Sequence, residues 1–513
     1  MAPALQYEEV TLRSQLARAP RELNFGTSGR RGRLADLTQL EIYVNVLGEL
    51  QYFLTLRVQE GGIRAGDDFF IARDLRPSSP ALAQAVDEAV RDAGLHPVHA
   101  GAIPTPALAN YAWPRSRGSI MVTGSHIPFD WNGYKLNTSQ GELLKTHEAP
   151  VQESVGCVRD RLYNQPFDAS KFDAAGALRH SRDLPEPSAD PETEYENRYR
   201  DFFSGRSLEG LRILCYQHSA AARDLLARLL RGFGAEVVLA GRSETFVPID
   251  TENIDDDALA GIRRLLPPEP VDAIVSTDGD SDRPLILGVD PRNGEPRFFP
   301  GDLVGMIVAE HLGAGAVVVP VSCNDAIDRG ALAPVLEPKT RIGSPYVIAG
   351  MQAAAAKGRT TVCGWEANGG FLLGSDVHRD GRVLRALPTR DAILPILAVL
   401  FSAREKGISL LDLFGRLPAR FTSATLIRDF PRAAGRKLVA EMPPAALEPV
   451  FGPIDRVDRT DGLRVYFQGG DVIHLRPSGN ADEFRVYACA DTAERARGIT
   501  ARGGAFIREI SKS

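Results

Sequence analysis

LRILCYQHSAAARDLLARLLRGFGAEVVLAG, residues 211–241, carries the fold class of this chain. Residues 211–216 form a short apolar run of strand type, 220–232 place leucines at helical spacing, and 236–240 return as a second apolar run. A strand, a helix and a strand at these lengths make a βαβ unit, which requires parallel strands and an α/β class. The same order stands earlier, with strand-like 69–72, helix-like 80–93 and strand-like 95–100. The segments that close the two units, AGLHPVHAG from Ala93 and FGAEVVLAG from Phe233, align Gly94 with Gly234, Val98 with Val238 and Ala100-Gly101 with Ala240-Gly241. A helix that ends in glycine and feeds a strand is a common solution, so this match leaves duplication and coincidence both open. A third unit begins at 316–321, after the helix-like 302–311.

A chain of 513 residues, 43% hydrophobic and 25% charged, exceeds what one hydrophobic core can organise and predicts three to four domains. Periodicity lapses in the polar stretch 164–193, which carries Pro166, Pro185, Pro187 and Pro191 and reads as a linker. Asn293-Gly294-Glu295-Pro296 marks a turn near a second boundary, and the character changes again near Arg420. The division that follows is α/β for 1–165, 185–298 and 299–418, then a smaller α+β domain at 419–513 with strands at 423–427, 462–467, 472–476 and 483–488. A net charge of −6 without any Lys/Arg block argues against a nucleic-acid surface. Cys157, Cys215, Cys323, Cys363 and Cys489 stand singly, the pattern of buried thiols in a reducing compartment rather than of a disulfide framework or zinc site. No run approaches the ~18 apolar residues of a membrane span, and the first twenty lack a signal-peptide core; the expected location is the cytoplasm.

Chemistry concentrates in five loops. Asp278-Gly279-Asp280-Ser281-Asp282-Arg283 follows the apolar run 271–277, and three carboxylates in five residues repel one another unless a cation lies between them. Oxygen ligands without nearby His or Cys suit Mg2+, and Arg283 adds a fork for a phosphate; a solvated strand-end loop is the plainer reading. Val122-Thr123-Gly124-Ser125-His126-Ile127-Pro128 reads as a tight exposed loop presenting Ser125, either as a phosphoryl carrier or as an ordinary turn residue. A Ser-His hydrolase is disfavoured, because neighbours on a turn rarely face each other and no Gly-x-Ser-x-Gly elbow is present. Asn132-Gly133 is a turn signal that would bring Lys135 back beside Ser125. Phe25-Gly26-Thr27-Ser28-Gly29-Arg30-Arg31-Gly32 combines backbone freedom with charge. Glu366 and Asn368, two apart after the strand-like 360–363, could read neighbouring hydroxyls. Arg476-Pro477-Ser478-Gly479-Asn480, with Arg485 downstream, has the makings of a phosphate cup.

In this order, from Phe25 to about Tyr487, the five loops resemble those of the α-D-phosphohexomutase family, which includes phosphomannomutases and phosphoglucomutases. The resemblance implies three similar α/β domains and a smaller C-terminal one around a central cleft. It implies that Ser125 is the phosphoserine and that Asp278, Asp280 and Asp282, with Ser125, hold one Mg2+. Lys135, Arg31, Arg283 and His126 would surround the transferring group, Glu366 and Asn368 would read the sugar, and Arg476, Ser478, Gly479, Asn480 and Arg485 would grip the phosphate that does not react. The implied reaction interconverts hexose 1-phosphate and hexose 6-phosphate through a 1,6-bisphosphate, which also serves as activator, in a monomer or homodimer. The wording is most similar to bacterial phosphomannomutases; Glu-Ala-Asn-Gly at 366–369 is similar to the N-acetylglucosamine phosphate branch, and glucose phosphate is a further alternative. Departures are Ile127 for the family's Asn, 479–482 for its Gly-Thr-Glu-Pro, and Ser344 and Gly370 where some relatives carry histidine. An Mg-dependent sugar phosphatase with Asp278 as nucleophile is the reading from another class.

Overall fold

The computed structural model describes residues 10–511 apart from 24, 27, 28, 253 and 479–481. Its first sheet runs Arg30–Arg33, Trp131–Asn137, Ser119–Val122, Asp68–Arg73, His96–Ala102. The last three strands are parallel and the first two alternate. The second sheet runs Pro296–Phe298, Pro284–Val289, Ala273–Thr277, Arg212–Tyr216, Glu236–Ala240, with the same directions. Only the outermost antiparallel strand differs in origin, entering from upstream in the first sheet and from downstream in the second. A third sheet, Ala316–Val318, Val362–Trp365, Phe371–Leu373, Leu387–Asp391, repeats the order with one edge strand missing. Strand order and direction therefore carry a repetition that nine aligned residues left open.

The helices Ser79–Asp92 and Arg223–Gly232 cross between the parallel strands, as the two βαβ units predict. The fourth sheet, Phe421–Arg428, Glu483–Ala490, Val472–Pro477, Leu463–Phe467, Ile454–Asp458, is wholly antiparallel. Its alternate residues Phe484, Val486 and Ala488 pack with Leu463, Ile473 and Ile499 into a separate core, covered by the helix Ala493–Ile510. Among the described residues no helix is long and apolar enough to cross a membrane. Four of the cysteines are buried and Cys157 is exposed, all of them free thiols.

Two local readings need correction. The stretch expected as a linker to residue 193 already contains the helix Asp190–Phe202, whose Tyr195, Tyr199 and Phe202 lie in the core shared by the first three sheets. Every other side chain of that helix except Pro191 is small or polar, so its one apolar stripe is easily taken for linker composition. Asn132-Gly133 is not a turn but part of the strand Trp131–Asn137; the reversal lies within 123–130. Glycine is required there by a close approach, since a Cβ at 133 would lie 1.9 Å from the Arg30 carbonyl, and the Asn132 amide donates to Ser78 and Ser79 Oγ at 2.8 and 3.0 Å.

The shared core is tightly filled where the helix Gly301–Leu312 crosses Trp365. A Cβ at Gly305 would lie 2.4–2.5 Å from three indole atoms, and the ring is itself stacked on Phe371. Gly305→Ala is expected to destabilise the chain by roughly 1–3 kcal/mol, the usual cost of overpacking. Urea unfolding followed by tryptophan fluorescence checks this; an unchanged midpoint would show that the indole has room to move.

Candidate active site

The strand Ala273–Thr277 is the central strand of the second sheet, is buried along its whole length and delivers the acidic loop at its C-terminal end. Asp278 closes the loop: its Oδ1 accepts the backbone N–H groups of Asp282 and Arg283 at 3.1 and 3.2 Å. Its Oδ2 accepts the Ser125 hydroxyl from the first sheet at 2.6 Å. Asp280 Oδ2 accepts from Thr105 Oγ1 at 2.5 Å and Lys135 Nζ at 2.6 Å. Asp282 Oδ2 accepts from Lys135 Nζ at 2.5 Å and Arg390 Nε at 2.9 Å. All three carboxylates are buried and offer oxygens within 4.8 Å of one another. Asp280 Oδ1 and Asp282 Oδ1 are buried with no hydrogen-bond partner among the described residues. Buried anionic oxygens without partners are costly, and this all-oxygen set fits a hard divalent cation such as Mg2+. Burial, then Asp280 and Asp282, push the Asp278 carboxyl above the usual range. Against the upward pull of burial, Arg390 and Lys135 hold Asp282 below it.

Ser125 adopts φ +52°, a left-handed conformation that a non-glycine residue keeps only when its surroundings hold it. The sequence predicts an exposed loop here, but Ser125 is buried, because the acidic loop of the second sheet lies over it: a Cβ at Gly279 would come 2.8 Å from the Ser125 carbonyl. Two residues that sequence reasoning missed hold the loop. Arg76 donates to the carbonyls of Ser125, Ile127, Pro128 and Trp131 at 3.0, 2.5, 2.7 and 2.8 Å. Asp74 accepts from Thr123 Oγ1 at 2.8 Å and Gly124 N at 3.2 Å, and Thr123 Oγ1 in turn accepts from Ser125 N at 2.7 Å. The Arg76 guanidinium lies 3.8 Å from the ring centre of Phe246, which ties this support to the second sheet. The signal was Arg73-Asp74-Leu75-Arg76, three charges directly after an apolar strand.

Cations ring the serine. Arg283 Nη1 lies 2.9 Å from His126 Nδ1, and that nitrogen is 3.4 Å from Ser125 Oγ. Arg283, then burial, hold His126 far below its ordinary value, so the ring is neutral with Nδ1 as acceptor. Burial and Arg283 push Arg31 down to about 10, the mark of guanidinium groups crowded where an anion would relieve them. Arg30 is different: its Nε is paired at 2.7 Å with buried Glu49, a structural bond. Of the glycine-rich string before it, Thr27 and Ser28 lie outside the described residues.

Glu366 and Asn368 do not act as a matched pair. Glu366 Oε2 accepts from Arg390 Nη1 at 3.2 Å, while Asn368 Oδ1 folds back on Gly370 N at 3.0 Å. Arg476 Nε donates to Asp461 Oδ1 at 3.0 Å, and Asp461 Oδ2 accepts from Ile342 N at 2.9 Å, which joins the fourth sheet to the third. Ser478 is buried, Arg485 Nη1 donates to Tyr487 Oη at 3.4 Å, and Gly479 and Asn480 lie outside the described residues. A cleft of about 500 Å3 is lined by Ala367 of the sugar loop and by Arg485, Tyr487 and Arg464 of the fourth sheet.

Comparison with known proteins agrees with this geometry. Residues 22–156 match the model of phosphoglucomutase/phosphomannomutase alpha/beta/alpha domain I, and residues 300–421 that of domain III. A phosphomannomutase of Sinorhizobium fredii is 37% identical over 94% of this chain and 98% of its own length. The chain belongs to the phosphoglucomutase/phosphomannomutase family. A phosphomannomutase of Salmonella muenchen is 39% identical over 93% of this chain and 94% of its own. Among solved structures, a phosphoglucomutase/phosphomannomutase family protein of Burkholderia thailandensis shares the fold with TM-score 0.66 at 19% identity, covering 93% of this chain and 96% of that one. So does the Aspergillus fumigatus N-acetylphosphoglucosamine mutase in complex with GlcNAc-6P and magnesium, with TM-score 0.56 at 15% identity over 95% and 96%.

Beneath the Arg476 loop, His474 stacks on Tyr487 with ring centres 5.5 Å apart, and its Nε2 lies 2.6 Å from the Asp461 carbonyl. Burial, then Arg464, push His474 down to about 4. The unfolded chain takes up this proton near pH 6.5 and the folded chain refuses it, so the stability contributed is whole above pH 6.5 and lost as pH falls toward 4. His474→Gln is expected to flatten the dependence of unfolding free energy on pH in that window by up to about 1.4 kcal/mol per pH unit. Urea titrations from pH 6.5 to 4.5 check it; an unaltered slope would mean that His474 is protonated in the folded chain.

Proposed function

We propose that this protein is a phosphohexomutase that interconverts hexose 1-phosphate and hexose 6-phosphate, with mannose phosphates preferred. The observation that carries the chemistry is the 2.6 Å hydrogen bond from Ser125 Oγ to Asp278 Oδ2, with Lys135, Arg31 and Arg283 around it. Two phosphomannomutases at 37% and 39% identity along nearly the whole chain support the choice of sugar; phosphoglucosamine mutases match at 24–26%.

In this reading Ser125 carries a phosphoryl group and passes it to the free hydroxyl of the bound sugar monophosphate. The sugar hydroxyl loses its proton, Ser125 Oγ regains its hydrogen, and a hexose 1,6-bisphosphate forms. The bisphosphate reverses in the cleft and returns its other phosphoryl group to Ser125; added bisphosphate reloads any serine left bare. Asp278, Asp280 and Asp282 would hold Mg2+, which supplies charge neutralisation at the phosphoryl oxygens. Lys135, Arg31 and Arg283 add fixed positive charge beside the buried serine, where such charge counts more than in open water. His126 accepts from Arg283 at Nδ1 and so orients the guanidinium beside Ser125. Arg476 and Arg485 grip the phosphate that does not react, and Glu366 reads sugar hydroxyls. A phosphatase with Asp278 as nucleophile fits less well, since both of its oxygens are already engaged, Oδ1 by two backbone N–H groups and Oδ2 by Ser125.

The test is a kinetic panel of mannose, glucose, glucosamine and N-acetylglucosamine 1-phosphates with Mg2+ and a trace of bisphosphate. Mannose 1-phosphate should show the highest kcat/KM. Arg476→Ala should raise KM for every accepted sugar about ten- to a hundredfold, the 1.5–3 kcal/mol of a hydrogen bond to a charged group. Glu366→Gln should reorder the sugars and leave loading of Ser125 by the bisphosphate intact. A panel in which Arg476→Ala reorders the sugars and Glu366→Gln weakens all of them equally would exchange the roles of the two loops.

A further inference from the structure

We infer that Arg390 is a positioning residue that locks the sugar loop to the acidic loop, and that the absence of a side chain at Gly370 is what admits it. The inference deepens the mutase reading of the same site and rests on it. Arg390 is the penultimate residue of the strand Leu387–Asp391 and is buried. Its Nε donates to Asp282 Oδ2 at 2.9 Å, and its Nη1 lies 3.2 Å from Glu366 Oε2 and 3.3 Å from Ser344 Oγ. Ser344 Oγ passes its own hydrogen to Glu142 Oε2 at 2.8 Å, and Thr389 donates to the other oxygen of Glu142 at 2.7 Å. One planar guanidinium therefore joins the acidic loop of the second sheet, the sugar loop of the third and, through Ser344, a carboxylate that follows the first. A lysine has the charge but not the rigid planar fork that holds Asp282 by Nε and Glu366 by Nη1, carboxylates of two separate loops.

The hold on Asp282 is selective. Arg390 and Lys135 both occupy Oδ2, and Oδ1 is left buried without a hydrogen bond among the described residues, with Arg283 Nε 3.6 Å away. Arg390 thus decides which oxygen of Asp282 is offered to a cation, and the same side chain fixes the Glu366 carboxylate at the sugar. Its own backbone is pinned by its neighbour: Asp391 accepts the Tyr195 hydroxyl at 2.6 Å, the Tyr199 hydroxyl, and the N–H groups of Ile393 and Leu394 at 2.8 and 3.3 Å. The arginine then runs directly across position 370, next to the pairing of Phe371 with Asp391. A Cβ at Gly370 would lie 2.4 Å from Arg390 Cδ, 2.6 Å from Cγ and 3.0 Å from Cβ. Real side chains do not approach so closely, so any residue larger than glycine there displaces the arginine.

The experiment compares Gly370→Ala, Arg390→Ala, Arg390→Lys and the Gly370→Ala/Arg390→Ala double variant of the full chain. Each is tested for Mn2+ binding by calorimetry and for kcat and KM with mannose 1-phosphate, with thermal midpoints recorded throughout. Gly370→Ala and Arg390→Ala should each weaken Mn2+ about tenfold and raise KM about tenfold. Their double variant should be no worse than Arg390→Ala alone, because the methyl group then has nothing to displace. Arg390→Lys should recover Mn2+ affinity more than KM. Effects of the two alanine substitutions that multiply, or a Gly370→Ala protein with unchanged Mn2+ affinity and KM, would overturn the inference. A wild type without mutase turnover would overturn the proposed function instead, and the Mn2+ comparison, which needs no turnover, would still decide the role of Arg390.

Discussion

Asp278, Asp280 and Asp282 are buried with oxygens within 4.8 Å of one another, and at an effective dielectric of about 20 each such pair of charges repels by roughly 3–4 kcal/mol. Much of the surrounding architecture answers that repulsion. Lys135 reaches two of the carboxylates from the first sheet, Arg390 reaches Asp282 from the third, and Asp278 turns one oxygen to backbone N–H groups and the other to Ser125. Because the side-chain partners come from the first and third sheets, the charge cluster also sets how the sheets meet. Asp280 Oδ1 and Asp282 Oδ1 stay without a hydrogen bond among the described residues, so the protein's own cations answer only part of the charge, and the remaining oxygens fit a metal.

The repeated sheet order explains how these groups converge. In each of the first three sheets the functional loop leaves the same place, the junction between a parallel strand and the antiparallel strand beside it. That junction holds Ser125 in the first sheet, the acidic loop in the second and the Glu366 loop in the third. A single supersecondary unit used three times brings these loops to one centre, where the proposed mechanism uses them as phosphoryl carrier, cation site and hydroxyl reader. The fourth sheet has another topology and lines the cleft with Arg464, Arg485 and Tyr487.

The α/β class, the two βαβ units and four of the five strands of the C-terminal sheet were legible because they rest on local periodicity and on glycines at helix ends; Ile454–Asp458, with Asp455, Arg456 and Asp458 among its five residues, was not. The helix Asp190–Phe202 was not, because its three core aromatics are diluted by Glu, Asp and Arg. Among site residues, the Asp cluster and Ser125 announce themselves by spacing and turn chemistry. Arg76, Asp74 and Arg390 do not, since charged residues at a strand end look like solvated surface charges until the fold buries them. Ser344 and Gly370 stood out as departures from the family pattern, and in the structure both touch the same residue, Arg390. What sequence lacked was the pairing: a missing side chain at 370 has meaning only beside the arginine that fills its space.

The central claim, that Ser125 carries the phosphoryl group beside a carboxylate cation site, is tested most directly by locating the phosphate. Purified protein incubated with Mg2+ and a hexose 1,6-bisphosphate, then digested and fragmented in a mass spectrometer, should carry one phosphate on Ser125. The label should leave the protein when excess mannose 1-phosphate is added. A phosphate trapped on Asp278 instead, or a Ser125→Ala protein that still acquires the phosphate and turns over normally, would contradict the account.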